Sequence, residues 1–253
     1  MITYGLIGFP LQHSFSSTFF NEKFKREKVD ARYHNFELKK IEEIDRVIRT
    51  HEQLRGLNVT IPYKEVVIPY LDALSPESEK IGAVNVIRID RSTDRSRPYR
   101  LTGFNTDYIG FRDSLLPLLE GRERPKALIL GTGGASKAVA EALNGLSIAW
   151  RYVSRKGGNN RLSYGDLNAE IIAEYRLIVN TTPLGMFPHC DAAPDLPYDS
   201  LTPHHLLYDL VYNPSETRFL QKGRALGATV KNGAEMLRLQ ALAAWDIWNK
   251  PDR

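Results

Sequence analysis

Ala127-Leu128-Ile129-Leu130 runs straight into Gly131-Thr132-Gly133-Gly134-Ala135-Ser136-Lys137-Ala138, and an Ala- and Leu-rich stretch follows. Four apolar residues, a glycine cluster and a helix former in that order read as a buried strand, a tight turn and a helix. In such a setting glycines let the backbone approach a pyrophosphate, while the helix N-terminus offers it free N–H groups and partial positive charge. Gly131, Gly133, Gly134 and Ala135 are therefore candidate cofactor-binding residues, with Ser136 standing where the usual pattern has its third glycine. Taken by itself the cluster also suits a turn that binds nothing.

The next strand-like run, 149–153, ends in Ser154-Arg155-Lys156. Dinucleotide folds that take NAD place an acid there to grip the ribose 2′-hydroxyl. An acid would repel a 2′-phosphate, whereas Arg155 and Lys156 can neutralise one and Ser154 can donate a hydrogen bond to it. The expected cofactor is NADP; the competing reading is a pair of ordinary surface cations.

Working outward, further strand-like runs fall at 4–7, 33–38, 57–61, 84–89, 99–102, 177–180 and 206–211, with helical patterns between them. Alternating strands and helices mean an α/β protein. Two boundaries stand out. At Gly103-Phe104-Asn105-Thr106-Asp107 a strand gives way to a helix carrying Tyr108, Phe111, Leu115 and Leu118, with Thr106 as a plausible N-cap. After Lys231-Asn232-Gly233, residues Met236, Gln240, Ala244 and Ile247 share one face of a C-terminal helix. That helix is expected to return to the first domain.

The chain has 253 residues, 42% of them hydrophobic, enough for one large domain or two ordinary ones. Its 34 basic and 30 acidic residues are interspersed, which disfavours a nucleic-acid binder. The densest basic stretch, with Arg91, Arg95, Arg97 and Arg100, reads as a solvated hairpin loop rather than a phosphate patch. A lone Cys190 excludes an intramolecular disulfide, no zinc-binding spacing is present, and a reducing compartment fits. The N-terminus lacks a basic region ahead of an apolar stretch, and no apolar run approaches the ~18 residues that span a bilayer. A cytoplasmic protein without membrane or nucleic-acid partners, monomeric or homodimeric, is expected.

Polar residues gather where strands end. Leu57-Asn58-Val59-Thr60-Ile61 alternates, which would bury Leu57, Val59 and Ile61 and turn Asn58 and Thr60 the other way, before Pro62, Tyr63 and Lys64. Ser14 and Ser16 precede or open a helix carrying Phe20 and Phe24; Ser16 is the natural N-cap, and the hydroxyl pair suits a carboxylate. Asn85, Asn105, Asp107 and Gln240 interrupt apolar surroundings. Each alone fits a structural hydrogen bond. Together they suit a substrate rich in hydroxyl groups, and Lys64 is the best candidate to take the proton of an alcohol oxidised by NADP, its pKa lowered by burial or its charge partnered by Asp107.

These segments, in this order, resemble the shikimate dehydrogenase family: Gly8-x-Pro10-x-x-His13-Ser14-x-Ser16, Gly56 to Lys64, Gly82-Ala83-Val84-Asn85, Gly103 to Asp107, and Gly131 to Ala135. The likeness continues through Asn180-Thr181-Thr182-Pro183-Leu184-Gly185-Met186, Asp209-Leu210-Val211-Tyr212-Asn213-Pro214 and Gly233-x-x-Met236-Leu237-x-x-Gln240-Ala241. The resemblance implies reversible NADPH-dependent reduction of 3-dehydroshikimate to shikimate, toward aromatic amino acids. It implies that Ser14 and Ser16 hold the substrate carboxylate, that Thr60, Asn85, Asp107, Tyr212 and Gln240 surround the ring hydroxyls, and that Lys64 is the acid–base residue. Asp107 would share proton handling or orient the substrate, and Gly233 would join the cofactor-binding residues. It also implies an α/β substrate domain, 1–105 with 234–253, and a doubly wound Rossmann-type NADP-binding domain, 106–233, with a cleft between them. Ser17 stands where the family often has proline, Val86 where threonine is common, and Ser154-Arg155-Lys156 where an Asn-Arg-Thr run is typical. A relative that oxidises quinate with NAD, and a binding protein that senses NADP or shikimate without turnover, are the alternatives; retention of both Lys64 and Asp107 argues against the second.

Overall fold

The computed structural model describes residues 1–11, 14–94, 96, 98–121, 123–158 and 161–249. His13 of the first motif and Arg95 and Arg97 of the basic loop lie outside the described residues. The chain forms two compact units, one made of Met1–Thr106 and the chain from Ala241 onward, the other of Asp107–Gln240.

The first unit contains β1 (Ile2–Gly8), α1 (Phe15–Glu27), β2 (Ala31–Glu37), α2 (Ile44–Thr50), β3 (Leu54–Val59), β4 (Ala73–Leu74), α3 (Pro76–Ile81), β5 (Val86–Arg91) and β6 (Tyr99–Phe104). Its six-stranded sheet has the order β2-β1-β3-β5-β6-β4. β1 is parallel to β2 and β3, while β5 is antiparallel to β3 and β6. The carboxyl ends of β1, β2, β3 and β6 thus share one edge with the start of β5.

Both faces of this sheet are covered. Ile7, Leu57, Val59 and Ile87 pack with Ile44 and Ile48 on one face; Tyr4, Leu6 and Val86 pack with Phe20, Phe24 and Trp248 on the other. Alternate residues of β3 are therefore buried in turn, Leu57 at 0% and Asn58 at 5% exposure. The expected extension to Ile61 is not made: β3 stops at Val59, the Thr60 N–H closes on the Ile7 carbonyl at 2.9 Å, and Ile61 is 74% exposed. The basic segment does join an antiparallel hairpin, β5 to β6, and Arg91 spends its guanidinium on the Ile48 and His51 carbonyls at 2.9 and 2.8 Å.

The second unit contains α4 (Asp107–Leu119), β7 (Ala127–Leu130), α5 (Gly134–Gly145), β8 (Trp150–Ser154), β9 (Arg161–Ser163), α6 (Ala169–Glu174), β10 (Leu177–Asn180), β11 (Leu206–Asp209), α7 (Arg218–Ala225), β12 (Thr229–Lys231) and the start of α8 (Ala234–Asn249). All its strand pairs are parallel, in the order β12-β11-β10-β7-β8-β9. This is a doubly wound sheet whose order reverses between β7 and β10, the place where such sheets bind ligands. Phe111, Leu115, Val139 and Leu143 cover one face, and Ile172, Phe219 and Leu220 the other. β7, buried on both sides, accordingly reads as a continuous apolar run rather than an alternating one.

Among the described residues no helix is long and apolar enough to cross a membrane, and no group of three or more His, Cys, Asp or Glu is placed to hold a metal.

Candidate functional site

In the first unit, the carboxyl edge of the sheet collects the polar residues singled out in the sequence. β1 ends at Gly8 and leads to α1, whose N-cap is Ser14 rather than the expected Ser16: the Ser14 hydroxyl oxygen accepts the Ser17 N–H at 3.3 Å. Both serines satisfy the local sequence preference for a cap, and the helix begins two residues earlier than a cap at Ser16 would allow. Ser16 lies in the first turn, where N–H groups have no intrahelical acceptor. A carboxylate at this end would meet two hydroxyls and the positive end of the helix dipole.

After β3, Thr60 packs its methyl against Gly8, where a Cβ would come within 2.4 Å of it. The chain then turns so that the Tyr63 N–H reaches the Thr60 carbonyl at 2.9 Å and the Tyr63 hydroxyl donates to the Leu38 carbonyl at 2.6 Å. Lys64 follows, half-buried, its carbonyl accepting the Val84 N–H at 2.7 Å. The peptide chain around Lys64 is thus pinned from both sides, so its side chain leaves from a fixed point.

Beneath this edge runs a buried line of polar side chains. The Tyr33 hydroxyl donates to Asn58 Oδ1 at 2.7 Å, and Asn58 Nδ2 donates to the Asn85 carbonyl at 3.3 Å. Asn85 Oδ1 accepts the Thr106 N–H at 2.7 Å, and Asn85 Nδ2 donates to the Thr106 hydroxyl at 3.1 Å. Thr106, read in the sequence as a helix cap, has its side chain engaged by Asn85. Burial obliges such groups to find partners, and here they fix one another in register.

In the second unit, the glycine turn follows β7. Gly131 has φ +102°, and a Cβ on it would sit 2.9 Å from the Thr181 hydroxyl. Gly133 is the N-cap of α5, with no side-chain cap, and a Cβ there would point into open space, so the approach to the helix end is clear. Gly134 and Ala135 form the first turn of α5. Ser136 turns its hydroxyl back onto the Gly133 carbonyl at 2.6 Å, which lets a serine occupy the third glycine position without blocking the approach. β8 ends beside this turn. The Ser154 hydroxyl, expected to be available to a phosphate, donates to the Lys156 carbonyl at 2.6 Å and shapes the bend, leaving the exposed Arg155 and Lys156 side chains as the cations. An open helix N-terminus, a glycine turn and two exposed cations with no acid at the strand end fit a dinucleotide carrying a 2′-phosphate.

Asp107 opens α4 and is buried, at 8% exposure. One turn on, Gly110 allows α8 to approach so closely that a Cβ would fall 2.5 Å from the Met236 carbonyl and 3.0 Å from Gln240 Cβ. Gln240 is buried, its amide donating to the Leu237 carbonyl at 3.0 Å. Tyr212, exposed, leaves the loop after β11; its neighbour Val211 accepts the Gly233 N–H at 3.1 Å. Gly233 is obligatory there, because a Cβ would lie 2.1 Å from the Leu210 carbonyl oxygen.

One cluster received no role from the sequence. Asp209, the last residue of β11, is fully buried and accepts from Asn180 Nδ2 at 2.9 Å, the Val211 N–H at 3.0 Å and the Thr217 hydroxyl at 2.5 Å. Burial pushes its carboxyl up to about 6, against the pull of Thr217, Val211 and Asn180. A carboxylate closing a run as apolar as Leu206-Leu207-Tyr208 was the signal available in the sequence. By contrast, a groove of about 630 Å³ at the amino ends of the same strands, lined by Arg124, Lys126, Glu174, Arg176 and His204, contains none of the candidate residues.

Residues 6–87 match the model of the shikimate dehydrogenase substrate binding domain. The chain is 40% identical over 257 residues to a Clostridium beijerinckii protein named shikimate dehydrogenase (NADP(+)), spanning 98% of this chain and 92% of that one. Its structure is similar to Thermus thermophilus shikimate 5-dehydrogenase in complex with NADP(H) and shikimate, with TM-score 0.83, 31% identity, and 100% and 95% of the two chains covered. It is similar too to quinate dehydrogenase from Corynebacterium glutamicum in complex with NAD, with TM-score 0.85, 26% identity, and 98% and 93% covered. Near-complete coverage at this identity leaves no part of either unit unaccounted for, and the chain belongs to the shikimate dehydrogenase family.

Proposed function

We propose that the protein catalyses the reversible NADPH-dependent reduction of 3-dehydroshikimate to shikimate, in the cytoplasm, as a step toward aromatic amino acids. The feature that supports this reading is the carboxyl edge of the first sheet: α1, with Ser14 and Ser16 at its start, follows β1, Thr60 and Lys64 follow β3, and Asn85 directly precedes β5. Such a row offers hydroxyls and a helix N-terminus to a carboxylate, amide and hydroxyl groups to a polyol, and one ammonium to a reacting oxygen.

In this reading the first unit binds the substrate and Asp107–Gln240 binds the cofactor. Ser14 and Ser16 hold the carboxylate, while Thr60, Asn85, Asp107, Tyr212 and Gln240 hydrogen-bond the ring hydroxyls. Lys64 donates a proton to the carbonyl oxygen during reduction and takes it back from the hydroxyl during oxidation. Asp107 shares that proton handling or orients the substrate. Gly131, Gly133, Gly134, Ala135 and Gly233 give the dinucleotide room, and Arg155 and Lys156, on the bend shaped by Ser154, neutralise its 2′-phosphate. NADPH, when bound, supplies the hydride. The active species is a monomer or a homodimer.

Shikimate and quinate assayed against NADP and NAD, with absorbance at the nicotinamide band, test the reading. The expected result is the highest kcat/KM for shikimate with NADP. The likeness to a quinate dehydrogenase solved with NAD supports a second reading, a dual shikimate and quinate enzyme, which higher kcat/KM with NAD would favour. Tight binding of both ligands with no turnover would favour a sensor.

A further inference from the structure

Asp209 stands between the loop after β10 and the loop after β11, which carries Tyr212, and its three hydrogen bonds divide between them. Through Asn180 it holds the loop after β10: Asn180 Oδ1 in turn accepts the Thr182 N–H at 3.0 Å and the Thr182 hydroxyl at 2.6 Å. Through Val211 and Thr217 it holds the two ends of the loop after β11. The Val211 peptide is gripped twice, its N–H by Asp209 and its carbonyl by the Gly233 N–H, immediately before the chain releases Tyr212. Thr217 also packs against the loop after β10, since a Cβ on Gly185, at φ +86°, would lie 3.2 Å from Thr217 Cβ. Asn180, Asp209 and Thr217 are all buried to within 1% of completely. No solvent competes for these bonds, so the loops have few other arrangements that satisfy them.

We propose that Asp209 is a positioning residue for substrate binding, fixing the Val211 peptide so that Tyr212 is presented at one place. The inference rests on Tyr212 as a substrate-binding residue. An asparagine can reproduce the arrangement, with its oxygen toward Asn180 and Val211 and its amide donating to a Thr217 hydroxyl turned to accept. An alanine takes this acceptor from the Val211 N–H and the Thr217 hydroxyl and leaves Asn180 Nδ2 only the Leu184 carbonyl at 3.5 Å.

The test is steady-state kinetics on Asp209→Ala, Asp209→Asn, Tyr212→Phe and the Asp209→Ala/Tyr212→Phe double variant. Asp209→Ala is expected to raise KM for shikimate about tenfold, the scale of one orphaned buried donor. It should leave KM for NADP and kcat within about threefold, the pattern of lost uniform binding. Asp209→Asn should restore KM, which a loss from bulk destabilisation by charge removal would not. In the Tyr212→Phe background the alanine substitution should add little. Additive losses, or an unchanged KM in Asp209→Ala, overturn the proposal. An unchanged KM in Tyr212→Phe overturns the reading of Tyr212 itself, and with it this route of action. Should Asp209→Ala fail to fold, Thr217→Val removes one tie only, with an expected rise in KM of about threefold; no rise overturns the proposal.

Discussion

Replacing Asp209 by asparagine should change how stability depends on pH more than stability at any one pH. The carboxyl is buried, and burial raises it from the ordinary 3.8 to about 6. Below pH 3.8 both folded and unfolded chains carry the proton. Between 3.8 and about 6 the unfolded chain ionises while the folded chain holds its proton, so stability falls as pH rises; above about 6 the loss is complete. A shift of about 2 pH units corresponds to about 3 kcal/mol, of which roughly half is spent between pH 5 and 8. Asparagine does not titrate, so the difference in unfolding free energy, parent minus Asp209→Asn, should drop by roughly 1 to 2 kcal/mol from pH 5 to pH 8. For a chain of this size that is roughly 3–6 °C in relative melting temperature. Parallel melting curves across that range would refute the reasoning, showing that the donors of Asn180, Val211 and Thr217 offset burial. A difference that grows with pH would show that they outweigh it.

Arg155→Ala should raise KM for NADP severalfold or more and leave KM for NAD and kcat at saturating cofactor nearly unchanged; equal losses with both cofactors would remove the guanidinium from 2′-phosphate recognition. Gly233→Ala forces a Cβ to within 2.1 Å of the Leu210 carbonyl oxygen, so backbone must shift, and a loss of about 2–4 kcal/mol measured by denaturant unfolding is expected. Ser14→Ala should raise KM for shikimate and also cost about 1 kcal/mol of stability, because the same oxygen caps α1; a KM effect without a stability effect would separate the two roles.

The doubly wound unit was legible because its central strand is buried on both faces and its glycine turn sits between a strand and a helix, so composition, periodicity and turn chemistry agree. The short strands β4, β9 and β12 were not: two or three residues at or near a sheet edge carry no period to detect. Ile61 misled because alternation was extended past the end of β3: its carbonyl still accepts the Phe9 N–H at 3.1 Å, but its side chain lies in solvent. Ser16 was preferred to Ser14 as the cap, wrongly, since both have the right side chain and only the start of the helix decides between them. The links from Tyr33 to Asn58 and from Asn180 to Asp209 join residues 25 and 29 positions apart, and local pattern says nothing about such partners.

The central chemical claim is that one ammonium passes a proton to and from the reacting oxygen. Steady-state oxidation of shikimate by NADP with Lys64→Ala tests it most directly: kcat should fall by about two to four powers of ten while KM for shikimate changes modestly. A kcat near that of the parent protein would contradict the account.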